Sequence, residues 1–222
     1  MATENIRLDY FFDPFCGWCY ASAQAVHGMA EHFPGQLHMQ PSGLFAHPRP
    51  VASIADHAYK NDTRIGELTG QVFTDAYHQG VMRAPDGVFD SMPSTRALVA
   101  LGEIDPRLEP LFLHQVQIAR YVDGQDTSRI EVVAAVAAAV AGERVNVAAF
   151  AERLRNDPEL IRKTDARIAE TQAMMQALNT SGVPQLLVTV GDKRGIVQGH
   201  DLYAGADHLV ALLNTFAASA AQ

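Results

Sequence analysis

Cysteine is nearly absent from the chain: there are two in 222 residues, Cys16 and Cys19. A framework of structural disulfides is excluded, because such a framework needs several pairs and an oxidising compartment. Basic residues are also scarce, with 17 Lys and Arg against 25 Asp and Glu and a formal charge of -8. That sign repels phosphate backbones, so no nucleic-acid partner is expected. Long apolar runs are missing too. The most apolar window, Val132 to Ala141, is dominated by alanine and is about half of the roughly twenty residues that cross a bilayer. No membrane partner is expected. The opening Met1 to Asp9 has neither the basic lead nor the apolar core of a secretory signal, which points to a cytoplasmic location. No internal repeat or low-complexity linker is visible. What is present is an apolar fraction of 48%, enough for a core that folds without staples.

The order of elements predicts an α/β layer. Ile6 to Phe12 reads as a buried strand that breaks at Asp13-Pro14, since proline cannot continue a ladder. A helix is expected from Cys16 to about Phe33, then a short strand from Leu37 to Gln40. From about Pro48 to Asn156 no strand pattern appears. Helices are expected over Ile54 to Tyr59, Arg64 to His78, Thr95 to Glu103, Arg107 to Val122, Arg129 to Ala141 and Val147 to Arg155, with Ser128 to Glu131 forming a capping box. Asp157-Pro158-Glu159 starts a helix to about Ala177. Strands at Leu186 to Val190 and Gly195 to Gln198 flank a hairpin turn over Gly191 to Arg194, and a last helix covers about Ala206 to Ala218. The layer is therefore residues 1–48 and 157–222, with residues 49–156 as a helical subdomain inserted between the second and third strands.

The two cysteines carry the chemistry. At helical spacing they share one face, one turn apart. A thiolate at a helix N-terminus is stabilised by unpaired N–H groups and the positive dipole end, which places Cys16 as the attacking sulfur. Cys19, a turn deeper, suits the resolving role. Two other uses stand beside exchange. A zinc site needs four ligands, usually with a second short-spaced pair. The nine histidines show no H-x-x-x-H, although two copies pooling their cysteines would satisfy the count. Inert buried cysteines, in turn, have no reason to sit at a strand-to-helix turn. A second feature converges on redox chemistry: Gly182-Val183-Pro184 stands immediately before the strand that follows the long helical stretch, where a cis peptide bond makes a tight bend.

With Cys16-Gly17-Trp18-Cys19 after the first strand and Gly182-Val183-Pro184 before the third, the sequence resembles the DsbA-type thioredoxin superfamily. The wording DPFCGWCY is similar to its signal-less, cytoplasmic FrnE-like branch. The resemblance implies an α/β, thioredoxin-like fold with a large all-helical insertion between the second and third strands. It also implies thiol-disulfide exchange at Cys16 and Cys19, with Val183-Pro184 as the family's cis-proline pair. Gly182, Val183, Pro184 and Trp18 then contact substrate, the Val183 backbone pairing with a bound peptide as an added strand. The chain departs from the pattern in two places. Relatives tend to carry a buried acid six residues before the first Cys, where this chain has Tyr10. Asp9 and Asp13 are out of register, so no proton acceptor is assigned, and Asp13 reads as the turn residue of Asp-Pro. Strongly oxidising members often have His before the second Cys, where Trp18 stands here, so strong oxidising power is not implied. Trp18 either shields the pair or offers an apolar face to substrate. His200, just past the last strand, reads as a surface or loop residue, with reach to the mouth of the site as the alternative, and the loop Phe89 to Pro93 as an overhang shaping access.

A disulfide oxidoreductase acting as reductase or isomerase is the expected function, because the cytosolic glutathione poise, on the order of -220 to -320 mV, keeps such a pair reduced. Its partners are disulfide- or thiol-containing proteins or small thiols. No bound cofactor is expected, with glutathione as a reductant. The alternatives are a glutathione-dependent transferase or isomerase similar to the kappa class, whose members typically replace the second Cys, and a non-enzymatic chaperone-like or metal-binding module.

Overall fold

The computed structural model describes residues 6–220. The reading of the first five residues as free of a signal lies outside them. The first strand, β1 (Ile6–Phe12), is buried along nearly its whole length, as expected for a strand with covered faces. It pairs in parallel with β2 (Leu37–Pro41) and antiparallel with β5 (Gln185–Val190), which in turn pairs antiparallel with β6 (Lys193–Gln198). The sheet order is β2-β1-β5-β6. The hairpin turn is tighter than the sequence suggested: Val190 pairs with Lys193, leaving only Gly191 and Asp192 in the loop.

The helix expected from Cys16 to Phe33 is two helices, α1 (Gly17–Ala21) and α2 (Ala23–His32). Ser22 divides them. Its hydroxyl donates to the Cys19 carbonyl at 3.0 Å and meets the Tyr10 hydroxyl at 2.6 Å, a side-chain alternative to the backbone ladder that bends the chain.

Between β2 and β5 the chain is mostly helical, but not wholly. Arg49–Pro50 (β3) and Val88–Phe89 (β4) form a two-residue antiparallel ladder, so the stretch expected to be all-helical contains a small second sheet. The two helices expected between Ile54 and His78 are one long helix, α3 (Ala55–Thr69), followed after a short loop by a single π-helical segment over Ala76–Val81. Lys60-Asn61-Asp62-Thr63 is polar but holds no glycine or proline, so it does not stop a helix. The stop comes at Gly70, whose φ of 73° is the left-handed cap that glycine adopts freely. Four helices follow: α4 (Met92–Ile104), α5 (Leu108–Tyr121), α6 (Ile130–Ala141) and α7 (Val147–Asn156). Ser128 does not cap α6. Its hydroxyl is taken by Asp126 Oδ1 at 2.6 Å, and the capping box does not form.

Asp157 does cap α8 (Pro158–Ala177), accepting from the Glu159 and Leu160 amides. The chain closes with α9 (His200–Tyr203) and α10 (Ala206–Ala220). Leu8, Tyr10 and Phe12 of β1 share one continuous apolar core with Leu98, Phe112, Val133 and Leu154 of α4 to α7. Beside it, Phe15, Tyr20, Tyr77, Phe89 and Tyr121 form an aromatic cluster. Among the described residues no helix is long and apolar enough to cross a membrane.

Candidate active site

The register of the central strands builds the site. Because β1 and β5 run antiparallel with Phe11 opposite Gln185, the end of β1 lies beside the start of β5. Four residues past Phe12 the chain reaches Cys16, and two before Gln185 it reaches Val183. The two meet although 167 positions separate them: the Cys16 thiol donates to the Val183 carbonyl at 3.7 Å. Val183-Pro184 is a cis peptide bond, as the sequence suggested.

Cys16 occupies the N-cap of α1 in an extended conformation, and its carbonyl accepts from the Cys19 and Tyr20 amides. Both cysteines are free. They differ in access. Cys16 lines a cleft of about 270 Å³, whereas Cys19 is 1% exposed and sits behind it. Burial pushes the Cys19 thiol well above its ordinary range, and the neighbouring Cys16 sulfur adds to the shift. A thiol held protonated until its neighbour becomes a mixed disulfide fits the resolving position.

Trp18 also lines the cleft, held by its indole N–H on Asn61 Oδ1 at 3.3 Å and by the Tyr203 ring at 5.4 Å. Gly17 packs closely on α3: a Cβ there would lie 3.0 Å from Asp62 Oδ1 and 3.1 Å from Ile65 Cδ1, so those side chains would have to give slightly. Gly182 faces open space on the opposite rim, where a side chain would meet nothing. All of the residues singled out in the sequence as the site, Cys16, Trp18, Cys19, Gly182, Val183 and Pro184, therefore lie at or behind one cleft.

Asp13 is fully buried and fully paired. It accepts from the Phe15 amide at 2.9 Å, the Phe45 amide at 3.0 Å and the Ser91 hydroxyl at 3.0 Å. Burial raises its carboxyl, and these three donors oppose the shift. It ties the β1–α1 turn to the two segments that cover it. Tyr10 closes the underside with its hydroxyl on Ser22, and burial drives that phenol well above its ordinary range. His200 is exposed, its ring 6.1 Å from that of His208, and it does not line the cleft. Of the loop Phe89 to Pro93, Phe89 forms part of the wall, while Ser91 is engaged by Asp13.

The sequence reading missed the far wall of this cleft. Asp62 of α3, Tyr77 of the π-helical segment and Tyr121 of α5 line it. One signal was available: Asp62 shares a helix face with Ala58 and Ile65, an acid set in an apolar stripe.

The model of the DSBA-like thioredoxin domain matches residues 7–216. The chain belongs to that family. The resemblance drawn from Cys16-Cys19 and Gly182-Pro184 holds at that level, and the DsbA-like thioredoxin fold explains why β1, α1 and the start of β5 converge. Among solved structures, the chain is similar to the cytosolic disulfide reductase DsbM from Pseudomonas aeruginosa, with 27% identity, 95% of this chain and 98% of that chain covered, and a TM-score of 0.82. The same protein with GSH gives 27% identity, the same coverage and a TM-score of 0.79. A 2-hydroxychromene-2-carboxylate isomerase shares the fold at 15% identity, covering 94% of this chain and 93% of that chain, with a TM-score of 0.52. No curated protein matches the chain.

Proposed function

We propose that this member of the family is a cytoplasmic disulfide reductase or isomerase acting through Cys16 and Cys19 on disulfide-bearing proteins or small disulfides. The observation that carries the reading is the unequal pair: one sulfur at the cleft against Val183, the other sealed behind it. The Cys16 thiolate attacks one sulfur of the substrate, forming a new S–S bond while the old bond's electron pair leaves on the second sulfur. Cys19 then attacks Cys16 and releases the substrate as a thiol, leaving the Cys16–Cys19 disulfide. Two small thiols restore the dithiol. Glutathione is the reductant we propose, since the similar DsbM has been seen with GSH. The weak Cys16 contact to the Val183 carbonyl is readily exchanged for a backbone N–H of an extended substrate.

Retention of Cys19 favours exchange over glutathione transfer. The test is reduction of insulin and of hydroxyethyl disulfide with glutathione as the electron source. Cys16→Ser is expected to abolish turnover, and Cys19→Ala to accumulate a mixed disulfide on Cys16. Normal reduction by Cys16→Ser would overturn the reading.

A further inference from the structure

The cleft lined by Cys16 and Val183 is also lined by two buried polar side chains, Asp62 and Tyr121. Asp62 is 4% exposed, and its Oδ2 has no hydrogen-bond partner. The Tyr121 hydroxyl, also buried, has none. Asp62, Tyr77 and Cys16 line one cleft, and the Tyr77 hydroxyl is a hydrogen-bond partner of the Asp62 carboxylate.

Asp62 is surrounded on every side. From α5, Arg120 is fully buried with its guanidinium carbon 3.8 Å from the centroid of the Phe15 ring, and Tyr121 stands beside it. From the π-helical segment come Tyr77 and His78, whose Nδ1 is 3.9 Å from Asp62 Oδ2. Burial holds the His78 ring below its ordinary range, so near neutrality it supplies no charge. From α1 comes Gly17, next to Cys16, and from α3 itself His57 reaches the same cleft. Arg120 and Tyr77 favour the Asp62 carboxylate, but burial outweighs them and places this carboxyl at about 7. Both its acid and its anion are present at neutral pH.

The Asp62 carboxyl also presses on the segment joining the two cysteines. Its Oδ1 lies 3.0 Å from the point a Gly17 Cβ would occupy, so the carboxyl sits close against the residue that follows Cys16. Asp13 is no rival for a chemical role, since its oxygens already accept three hydrogen bonds.

We infer that Asp62 is a catalytic residue, the acid that protonates the sulfur expelled when Cys16 attacks a disulfide held in the cleft. The inference rests on the exchange reading above. Displacement at sulfur is in line, and the cleft in which the expelled sulfur departs is the one that Cys16 and Asp62 both line. The Cys16 electron pair makes the new S–S bond. The pair of the broken bond leaves on the substrate sulfur, and the Asp62 O–H supplies its proton. Asp62, now a carboxylate, recovers the proton that Cys16 gave up on ionising. When Cys19 attacks, its own proton neutralises the second substrate sulfur. Two electrons and two protons pass from the dithiol to the substrate.

The test compares two disulfides with different leaving groups, since an acidic thiol leaves without help and a basic one does not. Hydroxyethyl disulfide expels a basic alkyl thiolate and dithiobis-nitrobenzoate an acidic aryl one. Asp62→Asn is expected to lower kcat/KM for the alkyl substrate at least about tenfold more than for the aryl one. Asp62→Glu should restore part of the difference. In the wild type the alkyl-to-aryl rate ratio falls as pH rises through about 7, and in Asp62→Asn it stays flat. Taking the ratio cancels the ionisation of Cys16, which both substrates need. Equal losses on both substrates, or no loss on either, would overturn the assignment while leaving the exchange reading intact. A wild type inactive on both substrates would instead remove the exchange reading itself.

Discussion

The two walls of the cleft are built on opposite principles. On the sheet side, Asp13, Tyr10 and Ser22 are buried and satisfied, each polar atom placed against a named donor or acceptor. On the helical side, Asp62 and Tyr121 are as deeply buried and carry unpaired atoms. Both walls hold a buried aspartate, yet one has three hydrogen-bond donors and the other an oxygen with none. Three donors make Asp13 a structural tie, whereas Asp62, with one oxygen unpaired, is held less firmly.

Removing Asp13 should have the largest effect on stability. Asp13→Ala strands the Phe15 and Phe45 amides and the Ser91 hydroxyl, at an expected cost of about 4 kcal/mol, read as a fall of about 10 °C in Tm. Asp62→Asn is expected to act in the opposite direction, stabilising the fold by about 2 kcal/mol at pH 8, because a buried carboxylate gives way to a neutral amide. The sign follows from proton binding. The unfolded carboxyl ionises near 3.8 and the folded one near 7, so the folded chain keeps a proton that the unfolded chain releases. Wild-type stability is therefore full below the lower value, declines between the two and is level above, and in urea titrations Asp62→Asn should lose that decline. A destabilised Asp62→Asn would break the contrast between the walls.

Gly17→Ala should cost about 1 kcal/mol and lower turnover severalfold, since the added methyl pushes α3 and its Asp62 away from the cysteines. Trp18→Phe is expected to be the mildest. It removes one partly exposed hydrogen bond to Asn61, about 0.5 kcal/mol, and insulin reduction should change little beside the effect of Gly17→Ala.

Local signals carried most of what the sequence made legible. Asp13-Pro14 ends a strand, Cys16 opens a helix and Pro184 precedes a strand whatever the rest of the chain does, and those three facts assemble the sheet wall once β1 and β5 pair. The helical wall depends on tertiary packing. Lys60 to Thr63 reads as a break between helices because four polar residues stand together, when in fact three turn outward or sideways and Asp62 alone turns in. Arg120 and Tyr121 look like an ordinary polar end to an amphipathic helix, and only the aromatic cluster around them shows both to be buried. Ser128 has the spacing of a capping box, but Asp126, two residues earlier, takes its hydroxyl first.

The pairing of β1 with both β2 and β5 also sets a schedule for synthesis. When β1 and β2 have left the ribosome, the Tyr10-Phe11-Phe12 strand has a partner along one edge, and its other edge stays open until Gln185 to Val190 emerge nearly 150 residues later. For that interval the Val183 carbonyl that meets Cys16 and the strand that covers the second edge of β1 are both missing. Nascent chains halted before Gln185 are expected to bind chaperones and to be alkylated quickly at Cys19, while chains halted past Gln198 resist alkylation there.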